Sequence, residues 1–328
     1  MSKFTNQRVV FFLSIGLLGV GVSAQTASSL VVPAAADDSS HAVVMEIVHG
    51  KPFVSVTING QGPFRFVIDT GTGGEAFVTP ELAAQLTLPH AGQITLNDPS
   101  GQGGRKVPLV RLDSLELGGV SFHAVRAAVH TLSPADGPCQ GLLGFALFRN
   151  YLLTLDYPNR RLELAVGSLQ LDESHSVLPM RISDGIPVVT LAIGAERIDA
   201  QIDSGGSGLT LPIQLTGRLK FASDYSAVST ARSLSTRFLL TGATLANDVH
   251  LGAYTFKHPF VEINPAFPLA NFGSGPMQPF VLTFDQKNLL VRFRSAGRTL
   301  HLSAAPVPLR LETGPDRSPA EPGLVPTG

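Results

Sequence analysis

The chain has 328 residues, a length that allows two domains or two lobes, each burying its own core. With a formal charge of −1 and no basic cluster to follow a phosphate backbone, nucleic acid is not an expected partner. The 33 Gly, the 24 Pro and the shortage of stretches at helical period indicate a mainly β protein, and a single cysteine, Cys139, excludes an intramolecular disulfide.

Residues 1–24 read as a secretory signal, with Lys3 and Arg8 as the positive start and Val9 to Val22 as the apolar core. Val22-Ser23-Ala24 supplies the small residues before a cut after Ala24. The apolar run is shorter than the ~20 residues a membrane span needs. A secreted or periplasmic protein with no membrane attachment after signal cleavage is therefore expected. Residues 25–41, rich in Ala, Ser and Asp, read as a disordered lead-in.

Strand signals begin at Ala42. Met45-Glu46-Ile47-Val48 and Pro52 to Ile58 flank the turn pair His49-Gly50 and predict a hairpin. Asn59-Gly60-Gln61-Gly62-Pro63 is a second turn, followed by a strand from Phe64 to Ile68. Thr79 as N-cap, Pro80 in the first position and Glu81 in the first turn predict a short helix over 80–86. Between Ile94 and Val129 the pattern returns to β, with a polar, glycine-heavy tip at 97–104 and a Gly118-Gly119 turn. Gly141 to Phe145, Tyr151 to Asp156 and Leu162 to Leu164 close the first half. Cys139, beside Gly141-Leu142-Leu143-Gly144, reads as a small buried apolar residue. A nucleophilic role for it would need a histidine partner, on which the sequence is silent.

The second half repeats the first. Met180-Arg181-Ile182, Asp184-Gly185 and Pro187 to Ile193 match Met45-Glu46-Ile47, His49-Gly50 and Pro52 to Ile58 at one constant offset. Phe280 to Asp285 and Leu289 to Phe293 match the strands that end the first half, and Gly273 falls on Gly144. A period this long is not a solenoid unit. It indicates two duplicated units, an N-terminal lobe over 42–170 and a C-terminal lobe over 171–302. Residues 303–328, rich in Pro and Ala, read as a disordered tail.

Each unit carries an apolar strand ending in an aspartate, a hydroxyl residue and a glycine: Asp69-Thr70-Gly71-Thr72, then Asp203-Ser204-Gly205. The glycines allow a tight turn with backbone N–H groups close to a carboxylate. Thr70 and Ser204 are placed to bond one loop to the other, and Thr72 carries a hydroxyl for the outer oxygen of Asp69. Two carboxyls a few ångströms apart cannot both ionise, so they share a proton. Such a pair can activate a water as base and protonate a carbonyl oxygen as acid. It needs no metal and no cofactor.

These motifs resemble those of the aspartic peptidases, in particular the bacterial retropepsin-like and pepsin-like single-chain proteins. Asp69-Thr70-Gly71-Thr72, Asp203-Ser204-Gly205 and the hydrophobic-hydrophobic-glycine element Leu142-Leu143-Gly144 carry the resemblance, which spans about residues 42–300. It implies a bilobal, pepsin-like acid-protease fold: two duplicated β-barrel-like lobes with a cleft between them, Asp69 and Asp203 catalytic, and Thr70, Gly71, Thr72, Ser204 and Gly205 supporting the two loops. It further implies a flap over the cleft, for which the tip with Ser100, Gly101 and Gly103 is the candidate; the plainer reading of that tip is a solvent loop. The expected activity is endopeptidase cleavage of a peptide or protein substrate, by a monomer.

Three positions depart from the family pattern. Gly206 stands where a second Ser or Thr is expected, so Asp203 loses a hydroxyl unless Ser207 substitutes. Asn271 replaces the first hydrophobic residue of the second glycine element, and the candidate flap has no tyrosine. These departures motivate an alternative, a catalytically weak or inactive pepsin-like module that binds peptides. A third reading, an unrelated β-barrel whose aspartates are turn residues, does not explain the paired repeats. No His-Glu-x-x-His, no Gly-x-Ser-x-Gly frame around Ser207 and no phosphate-binding Gly-Lys-Ser/Thr occurs.

Overall fold

The structure, a computed structural model, describes residues 9–11, 40–97, 104–132, 138–232 and 237–302. The expected signal segment, apart from Val9–Phe11, lies outside the described residues, as do the expected tail and all of the lead-in but residues 40–41. Val9–Phe11 forms a short strand parallel to Ser226–Arg232.

The described residues are mainly β, and their local form follows from turn chemistry. His49 and Gly50 both take positive φ (49° and 86°), as a two-residue hairpin turn with the right twist demands. They join Glu46–Val48 to Lys51–Ile58. Asp184 and Gly185, at 52° and 80°, repeat the turn between Arg181–Ser183 and Ile186–Ile193. The short helix Pro80–Gln85 starts where Thr79 caps it, its side chain accepting the Leu82 N–H, as the sequence predicts.

Among the described residues the strands form three sheets. In the first half, Lys51–Ile58, Gln61–Asp69, Gly141–Gly144, Ala76–Val78, Val120–Val129, Gly104–Leu117 and His90–Asn97 lie side by side in that order. Lys51–Ile58 also pairs with Gly104–Leu117, so this sheet curls back on itself. In the second half the order is Ile186–Ile193, Glu196–Asp203, Ala270–Gly273, Leu209–Pro212, Phe260–Asn264, Arg237–Thr244 and Ser226–Arg232. The succession of parallel and antiparallel neighbours is the same in both halves. The repeat read in the sequence is therefore a repeat of topology.

The third sheet joins the halves. Leu152–Asp156 pairs antiparallel with Val281–Asp285, and Arg161–Ala165 and Leu290–Arg294 flank them. Thr154 lies opposite Thr283, its own counterpart in the repeat, with their hydroxyls 3.0 Å apart. One buried apolar cluster runs through both halves, with Phe66, Phe145 and Phe148 from the first and Phe272, Phe280, Phe284 and Phe293 from the second. Burying each such ring contributes about 1.5–3 kcal/mol, and Phe145 of the first half meets Phe284 of the second edge to face, centroids 5.3 Å apart. A smaller cluster, Phe77, Leu96, Val107, Ala128 and Leu142, sits against the His90–Asn97 and Gly104–Leu117 hairpin. Cys139 differs from expectation: it is half-buried, its thiol directed at the Gly141 carbonyl oxygen 3.0 Å away.

Candidate active site

Each aspartate ends a strand held between two neighbours. Gln61–Asp69 runs parallel to Gly141–Gly144 with Asp69 opposite Gly144, and Glu196–Asp203 runs parallel to Ala270–Gly273 with Asp203 opposite Gly273. The apolar residues before each aspartate, Phe66 and Ile68, Ala200 and Ile202, are fully buried and anchor the loops. The backbone then turns, and the two loops meet.

Their meeting is reciprocal. Thr70 N–H donates to the Ser204 hydroxyl (3.0 Å) and Ser204 N–H to the Thr70 hydroxyl (3.0 Å). The Thr70 hydroxyl donates to the Ile202 carbonyl and the Ser204 hydroxyl to the Ile68 carbonyl, both at 2.7 Å. All four groups are buried, so these bonds form away from competing water. The carboxyls of Asp69 and Asp203 come within hydrogen-bonding contact of each other. This approach requires glycine at 71 and 205: a Cβ at Gly71 would sit 2.5 Å from the Asp203 carboxyl carbon, and one at Gly205 2.6 Å from that of Asp69. The structure thus brings together Asp69, Thr70, Gly71, Thr72, Asp203, Ser204 and Gly205. Ser100, Gly101 and Gly103 lie outside the described residues; the strands leading to that tip, His90–Asn97 and Gly104–Leu117, are paired up to Asn97 and Gly104.

Each carboxyl has its own donors. Asp69 accepts Gly71 N–H on Oδ1 (3.0 Å) and the Thr72 hydroxyl on Oδ2 (3.0 Å). Asp203 accepts Gly205 and Gly206 N–H on Oδ1 (2.9 and 2.8 Å) and the Asn271 side-chain amide on Oδ2 (2.9 Å). In the sequence Gly206 and Asn271 stand as two separate departures. They are one compensated exchange, in which Asn271 rather than Ser207 takes the place of the missing hydroxyl. A Cβ at position 206 would fall 2.4 Å from the Asn271 amide nitrogen, so the glycine makes room for it. The offset that places Gly273 on Gly144 also places Asn271 on Leu142, which was the available signal.

Burial is the largest influence on both carboxyls, and it raises both. The negative charge of Asp203 raises Asp69 further, well above the usual carboxylate range, while Thr72 and the ammonium of Lys51 pull it back. For Asp203 the Gly206 N–H, Asn271, Asp69 and Lys51 all oppose the rise. Lys51 was not singled out from the sequence. It is buried at the start of the strand that pairs with Gln61–Asp69, and the repeat places Ile186 at its position in the second half. Tyr157, also buried, is pushed up by burial and then by the two carboxylates, and stays neutral.

Beside the Asp69 loop lies an apolar pocket of about 70 Å³ lined by Gly74, Phe77, Ile94, Leu96, Leu109 and Ala128. Among the described residues no group of three or more His, Cys, Asp or Glu is placed to hold a metal ion.

Residues 54–147 match the family model of aspartyl proteases. The match includes the Asp69 loop and the Gly141–Gly144 strand and ends before Asp203. Over these residues the chain is similar to the aspartyl proteases, a family of hydrolases of retropepsin-like kind. No curated protein matches the chain.

Proposed function

We propose that the protein is a secreted or periplasmic aspartic endopeptidase in which Asp69 and Asp203 share one proton. The observation that carries this reading is the contact of two buried carboxyls between loops tied by four reciprocal hydrogen bonds. Carboxyls this close hold a proton between them, because ionising both in a buried site is too costly. A water bound between them is deprotonated by the ionised carboxyl as it attacks the peptide carbonyl, while the other carboxyl protonates the carbonyl oxygen. The tetrahedral product then collapses with a proton delivered to the leaving amine.

The matching strand orders of the two halves and the sheet that joins them support a bilobal, pepsin-like arrangement with the dyad where the halves meet. The apolar pocket beside the Asp69 loop suits an apolar side chain of a bound peptide, and a flap role for the hairpin whose strands line it fits this reading. Because one chain supplies both aspartates, a monomer suffices. The alternative, a peptide-binding module that does not cleave, rested on Gly206 and Asn271. With Asn271 donating to Asp203, those two positions now support the enzyme.

The test is peptide cleavage by the purified protein on a diverse peptide mixture between about pH 3 and 7. Asp69→Asn and Asp203→Asn should each lower the rate about 10³-fold or more while the far-UV circular dichroism stays unchanged. A folded variant of either kind that cleaves at the wild-type rate removes the dyad.

A further inference from the structure

The chemistry above needs one protonated and one ionised carboxyl, and the two aspartates have unlike neighbours. We propose that Asn271 is a positioning residue that holds Asp203 as the ionised member and leaves the shared proton on Asp69. The inference rests on the aspartic peptidase reading and adds to it the identity of the base and of the acid.

The two side-chain donors differ in what they are able to do. An amide Nδ2 only donates, so the Asp203 Oδ2 that it meets at 2.9 Å is held as an acceptor. A threonine hydroxyl donates or accepts, so the Asp69 Oδ2 at 3.0 Å from Thr72 is free to be a carboxylate oxygen or the O–H of an acid. Backbone N–H groups serve both carboxyls, Gly71 for Asp69 and Gly205 and Gly206 for Asp203, so the side-chain donors make the difference. Each such bond favours the charged form of its acceptor.

The orientation of the Asn271 amide follows from its surroundings. Its Oδ1 is buried without a hydrogen-bond partner. Turned over, the amide would set its oxygen against Oδ2 of an ionised Asp203, a repulsive contact, so the present orientation is the one that suits a carboxylate there. Gly206 is the other part of the device, since a Cβ there would press on both the amide nitrogen and Asp203 Oδ2 (2.4 and 2.6 Å). The hydroxyl arrangement of Thr72 and the amide arrangement of Asn271 therefore exclude each other in one half.

Other ionisable groups do not make the choice. Lys51, from the strand beside Asp69, favours the charged form of both carboxyls. Tyr157, following Leu152–Asp156, stays neutral. Glu262, two strands beyond Asn271, is bonded to Thr210. In the hydrolytic step Asp203 takes a proton from water as its oxygen bonds the carbonyl carbon, and Asp69 gives its proton to the carbonyl oxygen. The pair keeps one proton throughout and the tetrahedral diol is neutral.

Two reagents with opposite demands test the assignment, each applied across the pH range of the cleavage assay and followed by peptide mass mapping. An epoxide is opened by attack of a carboxylate oxygen, and the alkoxide formed takes a proton from solvent. A diazoacetyl ester is protonated on carbon by a carboxylic acid and then captured by the resulting carboxylate with loss of nitrogen. The epoxide should esterify Asp203 and the diazo compound Asp69. In Asn271→Leu, epoxide labelling of Asp203 should slow about ten- to a hundredfold, the worth of a charge-assisted hydrogen bond. The acid limb of kcat/KM should move to higher pH in the same variant. Gly206→Thr with Asn271→Leu, which copies the Thr72 and Leu142 pair, gives Asp203 the same kind of neighbour as Asp69 and should therefore not restore the selective labelling of Asp203. Epoxide on Asp69, on both aspartates or on neither overturns the assignment, as does an Asn271→Leu variant with unchanged labelling and acid limb. Selective labelling of Asp203 in a protein that cleaves no peptide would remove the peptidase reading and leave the proton assignment standing. Cleavage with the epoxide on Asp69 would do the reverse.

Discussion

The same sheet row passes beside each aspartate, and the two halves fill it with opposite chemistry. In the first half the row is Val67, Leu142, Phe77 and Ala128, apolar throughout. In the second it is Gln201, Asn271, Thr210 and Glu262. Glu262 is buried and held above the usual carboxylate range by that burial, with Thr210 as its hydrogen-bond donor. What both halves keep is the backbone and the hydroxyls at 70 and 204, which touch the opposite loop. What they change is the set of side chains that only their own half has to satisfy. Duplicated halves stay alike where they contact each other and drift where they do not.

This comparison can be broken at several points, the most severe first. Thr70→Val and Ser204→Ala each remove a buried hydroxyl that both donates and accepts. Each should cost about 2–4 kcal/mol, measured by urea unfolding, from the groups left unpaired. Equal losses would confirm that the halves are equivalent at this contact; a loss confined to one variant would refute it. Next, Leu142→Asn puts into the first half the residue that the second half uses. Thr72 already serves Asp69 there, so the new amide meets Phe77 and Leu96, and a loss of about 2–3 kcal/mol is expected. A smaller loss for Asn271→Leu, measured in the same way, would show that each row is fitted to its own chemistry.

Lys51→Ile copies Ile186 into the first half. Removing a cation that lowers both carboxyls should move both limbs of the pH–activity profile to higher pH, with folding retained. A profile that stays in place would exclude Lys51 from the electrostatics of the pair. The mildest effect is on heat stability. Both aspartates are raised in the folded state, so the folded protein binds more protons than the unfolded chain. Their contribution is complete below about pH 4 and is lost as the pH rises through the raised values. Asp69→Asn should therefore raise Tm at neutral pH, and that gain should vanish in acid. A gain that persists at pH 3 would place the origin of the effect elsewhere.

Much of this was legible in the chain. Paired motifs, turn pairs at His49-Gly50 and Asp184-Gly185, and the capped helix at Thr79 are local signals, and the structure realises each of them. The constant offset of the repeat announced the matching strand orders. The middle of the second half was not legible. Strands Leu209–Pro212 and Phe260–Asn264 carry the polar residues Thr210, Glu262 and Asn264 among their buried positions, so their pattern is neither alternating nor uniformly apolar. The same mixing hid the role of Asn271. A polar residue on a buried strand looks like a defect until its acceptor is known, and that acceptor is 68 residues away in sequence.

The register of the central sheet has one more consequence. Leu152–Asp156 meets Val281–Asp285 with Thr154 against Thr283, and Leu152 against Asp285 mirrors Asp156 against Val281, as in a two-fold interface between identical subunits. A chain cut between residues 170 and 176 would leave each half with a bare strand edge, open to any matching strand. The edge of the first half is complementary to itself, Thr154 against Thr154, and to the edge of the second half. Severed halves of this protein are thus templates for three dimers, two like and one mixed, and only the mixed one reunites Asp69 with Asp203.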